Sequence, residues 1–242
     1  MRILVTRPRE DADGLVAALT ARGHDVLLEP LLTIVPRAAV DWPPGHERAQ
    51  ALLVTSANGV RAFARADPRR DLPVYAVGAA SAAAAGEFGF RAVVSAEGNV
   101  DDLAALVRRR LDPAAGPLLH SAAATPAGDL QGALAVADFT VLRVVLYDAR
   151  PAEALSPEST RAINEGSIDA VTLFSPRTAA AFASLMEAAG LAPACWQIAA
   201  LCLSPAVASE IAGLTWRRVV VAARPEQAAL LAALDGLAGG GA

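Results

Sequence analysis

Short runs of apolar residues alternate along the chain with longer alanine-rich stretches. Ile3–Thr6, Leu52–Thr55, Val74–Val77, Leu118–His120, Val171–Phe174 and Ile198–Leu203 read as buried strands, since no polar residue recurs in them with a period of two. Each is followed by good helix formers, as in Asp11–Ala21, Asp102–Arg110 and Arg177–Ala189. Such alternation predicts an α/β fold of parallel sheets flanked by helices. Two segments depart from the pattern. Asp25–Arg37 and Thr140–Arg150 are long, carry or adjoin prolines (Pro30, Pro36 and Pro151), and intersperse Glu29, Arg143, Asp148 and Arg150 among apolar residues. They predict partly exposed, extended connectors.

The pattern also repeats. Ile3-Leu4-Val5-Thr6 matches Leu118-Leu119-His120-Ser121 (118 − 3 = 115), and at the same offset Val26-Leu27 matches Val141-Leu142 and Pro36 matches Pro151. Thr55–Phe63 matches Phe174–Phe182 (174 − 55 = 119), and Val74-Tyr75-Ala76-Val77 matches Ile198-Ala199-Ala200-Leu201 (198 − 74 = 124). A slowly drifting offset is what small loop insertions produce. The chain therefore reads as two similar α/β halves of about 110–125 residues each.

Composition narrows the chemistry. Of 242 residues, 54% are hydrophobic, enough to bury two cores, and 21 basic against 25 acidic residues give a net charge of −4. Every basic residue is arginine, which excludes a lysine Schiff base or a phosphate-loop lysine. Mild acidity with 5% aromatics offers no basic face or stacking platform, so no nucleic-acid partner is expected. Cys195 and Cys202 read as buried thiols, and His24, His46 and His120 have no metal-ligand spacing. After Ile3–Thr6 comes Arg7-Pro8-Arg9-Glu10 rather than a glycine-rich loop, which argues against a dinucleotide cofactor. The N-terminus lacks a signal-peptide core, and the most apolar window, Ala194–Leu214, is broken by polar residues. A cytoplasmic protein without a membrane partner is expected, its tail Gly239–Ala242 frayed.

The polar residues collect where strands end: Thr6-Arg7-Pro8, Thr55-Ser56-Ala57-Asn58, Gly78-Ala79-Ala80-Ser81, Ser121, Ser175-Pro176-Arg177 and Ser204-Pro205. In open parallel sheets ligands bind at those ends, where helix N-termini favour anions. A serine at such a position also reads as a helix N-cap, with proline just inside the helix. Tyr147, in the second connector, reads on local grounds as an ordinary strand aromatic sooner than as a functional group.

Leu4-Val5-Thr6-Arg7-Pro8, Thr55-Ser56-Ala57-Asn58-Gly59-Val60, Tyr75–Ala82, the connector ending at Tyr147, and Phe174-Ser175-Pro176-Arg177 follow one another as the blocks of the uroporphyrinogen-III synthase family do. The chain resembles that family over nearly its whole length. It departs at Cys202-Leu203-Ser204-Pro205-Ala206, where the family usually has a glycine and only Ser204 keeps the hydroxyl. His120-Ser121-Ala122 also lacks a glycine often found there. The resemblance implies two α/β domains, 1–36 plus 151–242 and 37–150, joined by a two-stranded antiparallel ladder made from the connectors. It implies cyclisation of hydroxymethylbilane, a linear tetrapyrrole with eight carboxylates, to uroporphyrinogen III, with loss of water and inversion of ring D. No cofactor or metal would be needed, and the enzyme would be a monomer. Tyr147 would assist loss of the hydroxyl. Thr6, Arg7, Thr55, Ser56, Ser81, Ser175, Arg177 and Ser204 would bind substrate, with Arg61 a weaker candidate. The residues alone leave open a hinged, non-catalytic protein that closes on an anionic ligand, or a two-domain glycosyl or phosphoryl transferase.

Overall fold

In the computed structural model, which describes residues 1–125 and 128–238, the chain leaves one folding unit and returns to it. The first unit comprises Met1–Thr33 and Arg150–Ala242, the second Ile34–Ala149. The first opens with β1 (Arg2–Val5), α1 (Arg9–Thr20) and β2 (Asp25–Leu28), and β3 (Leu32–Pro36) carries the chain across. The second contains β4 (Ala51–Val54), α2 (Ala57–Ala66), β5 (Val74–Ala76), α3 (Ala79–Glu87), β6 (Val93–Ser95), α4 (Val100–Arg110), β7 (Leu118–Ala123) and α5 (Leu130–Ala135). Then β8 (Val141–Pro151) leads back to α6 (Pro157–Asn164), β9 (Ala170–Leu173), α7 (Pro176–Ala188), β10 (Ala199–Cys202), α8 (Pro205–Ser209), β11 (Arg218–Val221) and α9 (Gln227–Ala238). The glycine tail expected to fray lies outside the described residues. Among those described, no helix is long and apolar enough to cross a membrane.

The first sheet has the order β11-β10-β9-β1-β2, parallel throughout. In the second, β3-β8-β7-β4-β5-β6, the strands from β8 to β6 are parallel. The pairing of β3 with β8 is antiparallel: the Arg37 N–H donates to Leu146 O and the Ala152 N–H to Leu31 O, both at 2.9 Å. The matched sequences occupy matched places. β1 and β7, β9 and β4, and β10 and β5 hold equivalent positions in the two orders.

Alternation within the apolar runs divides each core in two. Ile3 and Val5 pack with α1 and α9, while Leu4 packs with residues of α6, α7 and α8. In the second unit Leu52 and Val54 face α2 and α3, whereas Ala51 and Leu53 face α4 and α5. The helices start where their sequences direct. Asn99 and Asp102 form a reciprocal capping box on α4, and Arg108–Arg110 close its last turn, the favourable sign for the helix dipole.

The connectors need correction. Asp25–Arg37 is not one extended crossing: Asp25–Leu28 is a parallel strand paired with β1, and only Leu32–Pro36 pairs with β8. The break falls at Glu29, whose carboxylate is buried at the start of α6. It accepts from the Ser156 N–H at 3.0 Å and from the hydroxyls of Ser156 and Ser159. A polar residue read as an exposed alternation is thus an anchor that turns the chain. The second connector is a full sheet member, parallel to β7, with Val144, Leu146 and Tyr147 buried. The edge strands β6 and β11 escaped sequence reading because they are short and partly exposed.

Two of the buried polar groups have measurable consequences for stability. Glu29→Ala leaves the Ser159 hydroxyl buried without its carboxylate acceptor, and should cost about 3 kcal/mol in urea unfolding. His120 is buried, and burial together with the neighbouring Arg143 charge lowers its pKa from 6.5 to about 4. The unfolded chain therefore binds this proton first as pH falls. The His120 contribution should be complete above pH 6.5 and lost progressively down to about pH 4, by up to about 3 kcal/mol. His120→Gln should flatten that part of the stability–pH profile.

Candidate functional site

Each parallel strand delivers the chain to the same edge of its sheet, and the following helix starts there with unpaired N–H groups. Among the described residues serine meets this requirement at α2, α6, α7 and α8, and at α6 the Ser156 proton is already given to Glu29. Ser56 caps α2 by accepting from the Gly59 N–H at 3.1 Å, Ser175 caps α7 from Thr178 N–H at 3.1 Å, and Ser204 caps α8 from Val207 N–H at 3.4 Å. Each of these hydroxyls thereby accepts one hydrogen bond and keeps its proton and a second lone pair for other partners. The start of α3 differs. Its N-cap is Gly78, with no side-chain hydrogen bond, and its first intrahelical bond is made by the Ala82 N–H. Ala79 and Ala80 are exposed there, and Ser81 is buried in the same turn.

In the second unit Tyr147 is brought to Ser56. The phenol oxygen lies 2.9 Å from Ser56 Oγ, although 91 residues separate them in the chain. Tyr147 is 5% exposed, and Thr55 and Ser56 are half-buried beside it. Behind them, Ser121 Oγ donates to Gly59 O at 2.7 Å, joining β7 to the first turn of α2. A Cβ on Gly59 would stand 3.0 Å from Ser121 O, so this close approach favours glycine. Arg61 is oriented by Asn58, donating to Oδ1 at 2.8 Å.

In the first unit Thr6 is fully buried, and its hydroxyl donates to Thr172 O at 2.7 Å, binding β1 to β9. Arg7 lies with its guanidinium carbon 4.4 Å from the centre of the Phe174 ring and donates to Gln227 Oε1 at 3.2 Å. Ser175 also shares a 2.8 Å hydrogen bond with Thr178 Oγ1, and Arg177 is exposed in the first turn of α7. Thr6, Arg7, Ser175 and Arg177 thus lie at the ends of the adjacent strands β1 and β9, while Ser204 follows β10. These are strand ends on either side of the point where the strand order reverses, the usual ligand position in such sheets. In the second unit that point lies between β7 and β4, beside Ser56 and Ser121.

Several participants were not foreseen. Thr178 stands three residues after Ser175, a spacing visible in sequence, whereas Gln227 and the Ser121–Gly59 contact arise only from folding. Burial raises both cysteine thiols to a pKa of about 11, so neither is a nucleophile at neutral pH. Among the described residues no group of three metal-ligating side chains occurs. Two open hollows, of about 410 and 540 Å³, lie at the opposite end of the first sheet, around Asp169, Trp196, Trp216 and Arg217. They share none of these strand-end residues.

Solved structures share the fold. A mutant uroporphyrinogen III synthase from the extremely thermophilic bacterium Thermus thermophilus matches with 22% identity and a TM-score of 0.54, over 98% of this chain and 99% of that one. The uroporphyrinogen-III synthetase from Helicobacter pylori 26695 matches with 15% identity and a TM-score of 0.65, over 98% and 100%. None of the curated proteins matches the sequence. The family model described as uroporphyrinogen-III synthase HemD matches residues 13–232, and the chain belongs to that family.

Proposed function

We propose that this protein cyclises hydroxymethylbilane to uroporphyrinogen III, eliminating water and inverting ring D, and that the two units are its two domains. The observation that carries the mechanism is the 2.9 Å hydrogen bond between Tyr147 and Ser56 at the strand-order reversal of the second unit.

The reaction asks for little covalent chemistry from the protein. A hydroxyl must leave, and the resulting cation must be folded so that ring D closes through its substituted carbon. Tyr147 is the group that assists departure. A phenol with a reference pKa near 10 stays protonated at neutral pH and can donate a hydrogen bond. Ser56 Oγ takes one N–H from the start of α2, which leaves its own proton to donate to the phenol oxygen. In that direction the positive end of the α2 dipole is felt at Tyr147 through Ser56, and the phenol becomes a better donor.

The substrate's carboxylates are matched by fixed cations and helix starts. Arg7 and Arg177 serve the first unit, and their planar guanidinium groups suit carboxylates. Ser175 and Ser204 contribute their remaining protons at the starts of α7 and α8. In the second unit the uncapped first turn of α3, with Ser81, and Thr55 beside Ser56 act likewise, with Arg61 near them. Thr6 contributes by holding β1 to β9 rather than by touching substrate. Positioning and electrostatic stabilisation then supply the catalysis, without cofactor or metal. We further propose that the protein acts in the cytoplasm as a monomer, apart from membranes and nucleic acid.

Incubation with enzymatically generated hydroxymethylbilane, followed by oxidation and separation of porphyrin isomers, should give isomer III faster than the spontaneous reaction gives isomer I. Isomer I alone, at the uncatalysed rate, would refute the proposal. Tyr147→Phe should reduce kcat by about 10²-fold or more while the protein stays folded. Ser56→Ala should lower kcat as well and cost about 1 kcal/mol of stability through loss of the α2 cap. An undiminished kcat in both variants would move the proton-donating role elsewhere.

A further inference from the structure

Tyr147 reaches Ser56 only because the strand that carries it is irregular. Along β8, Val144 and Leu146 pack into the core beneath α2 and α3, and Val141 packs on the opposite face with α4 and α5. Strict alternation would put Tyr147 on the α4–α5 face, away from Ser56. Instead the register with β7 shifts: Ala122 pairs with Val145, but Ala123 pairs with Tyr147. One extra residue, Leu146, is thereby accommodated in β8, and Tyr147 joins the same core as Val144 and Leu146. Such a bulge re-aims a side chain at the cost of regular pairing, so something must hold the pairing that remains.

That something is Arg143. It stands opposite His120 in the β7–β8 register and two positions after Val141, which puts it on the α4–α5 face. Its Nη2 donates to Ala123 O and to Ala124 O, the two carbonyls where β7 ends opposite the bulge. The Ala124 N–H in turn donates to Tyr147 O at 3.0 Å. The end of β7 is therefore held by Arg143 on its carbonyls and by the Tyr147 carbonyl on its amide. Among the described residues the Arg143 guanidinium makes no ion pair, and its hydrogen bonds go to these two backbone carbonyls.

We infer that Arg143 is a positioning residue for Tyr147, fixing the bulged β7–β8 pairing that turns the phenol toward Ser56. The inference rests on the synthase reading above. Arg143 acts on turnover through Tyr147 and not through substrate affinity.

The test is a double-mutant cycle on the full-length protein, with isomer III formation as the readout. Arg143→Met should lower kcat by about tenfold or more and leave KM within about twofold. In a Tyr147→Phe background the same substitution should change kcat by less than about twofold, because the group being aimed is gone. Arg143→Lys, which keeps the charge and the donors, should recover most of the lost kcat. Should Arg143→Met fail to fold, Arg143→Gln, which removes the charge and shortens the reach, serves in the same cycle with the same expected loss. An unchanged kcat in Arg143→Met overturns the inference. So does an equal loss in both backgrounds, a loss confined to KM, or failure of both variants to fold. Absence of isomer III from the unsubstituted protein would instead sink the synthase reading itself.

Discussion

A parallel sheet whose strands each lead into a helix must open all those helices along one edge, and every opening leaves N–H groups without partners. The rest of this molecule is organised around how those groups are satisfied. Ser56, Ser175 and Ser204 each give one lone pair to the backbone, so the residues best suited to meet an anion are also the ones that define where α2, α7 and α8 begin. Glycine at position 78 leaves the start of α3 without a side-chain cap. The choice between serine and glycine at equivalent positions thus sets which helix starts are closed by the protein and which remain open to a ligand.

The same hydroxyl that closes α2 also reaches Tyr147, and here the constraint passes from local to tertiary structure. Ser56 follows β4 and Tyr147 lies on β8, and their meeting depends on the register of β8 against β7. A regular β8 would preserve the fold and lose the contact. The extra residue at Leu146 is therefore a departure from the ideal sheet at the place where chemistry is proposed, in line with the general tendency of bulges to lie beside functional groups.

This explains which parts are legible in the sequence. The α/β class, the strands ending at Val5, Val54, Leu173 and Cys202, and the equivalence of β1 with β7 are legible, because they rest on apolar runs and on local start signals. Whether a strand-end serine is a cap or a ligand is not legible, since both roles ask for the same residue at the same place. The cap hydrogen bond accounts for one lone pair of each and leaves the proton for a second partner, which for Ser56 lies within the fold, at Tyr147. The break in Asp25–Arg37 is hidden because Glu29 looks solvent-facing until its three donors, two of them 127 residues away in Ser156, are placed around it. Arg143 is hidden in the same way. Its partners are carbonyls, which every residue possesses and no sequence pattern announces.

Charge shows the same separation of local from global. The net charge of −4 gives no hint of an anion-binding protein. Within the second unit, however, arginines are not equivalent. Arg37 and Arg69 are matched by Asp148 and Asp67, and each pair is close to electrically neutral. Arg143 bonds carbonyls instead, so its positive charge is not cancelled by its hydrogen-bond partners. Burial and that same charge keep the adjacent His120 neutral, with its pKa near 4, so the site does not accumulate a second cation at working pH. Arg143, half-buried behind the end of β7, offsets the partial negative charge of the two carbonyls it holds, as Arg70 does for the carbonyls of Ala64 and Asp67, and so serves the strand end rather than the substrate. The positive potential such a substrate requires is thus a matter of how individual arginines are partnered, and the sum over the chain is silent on it.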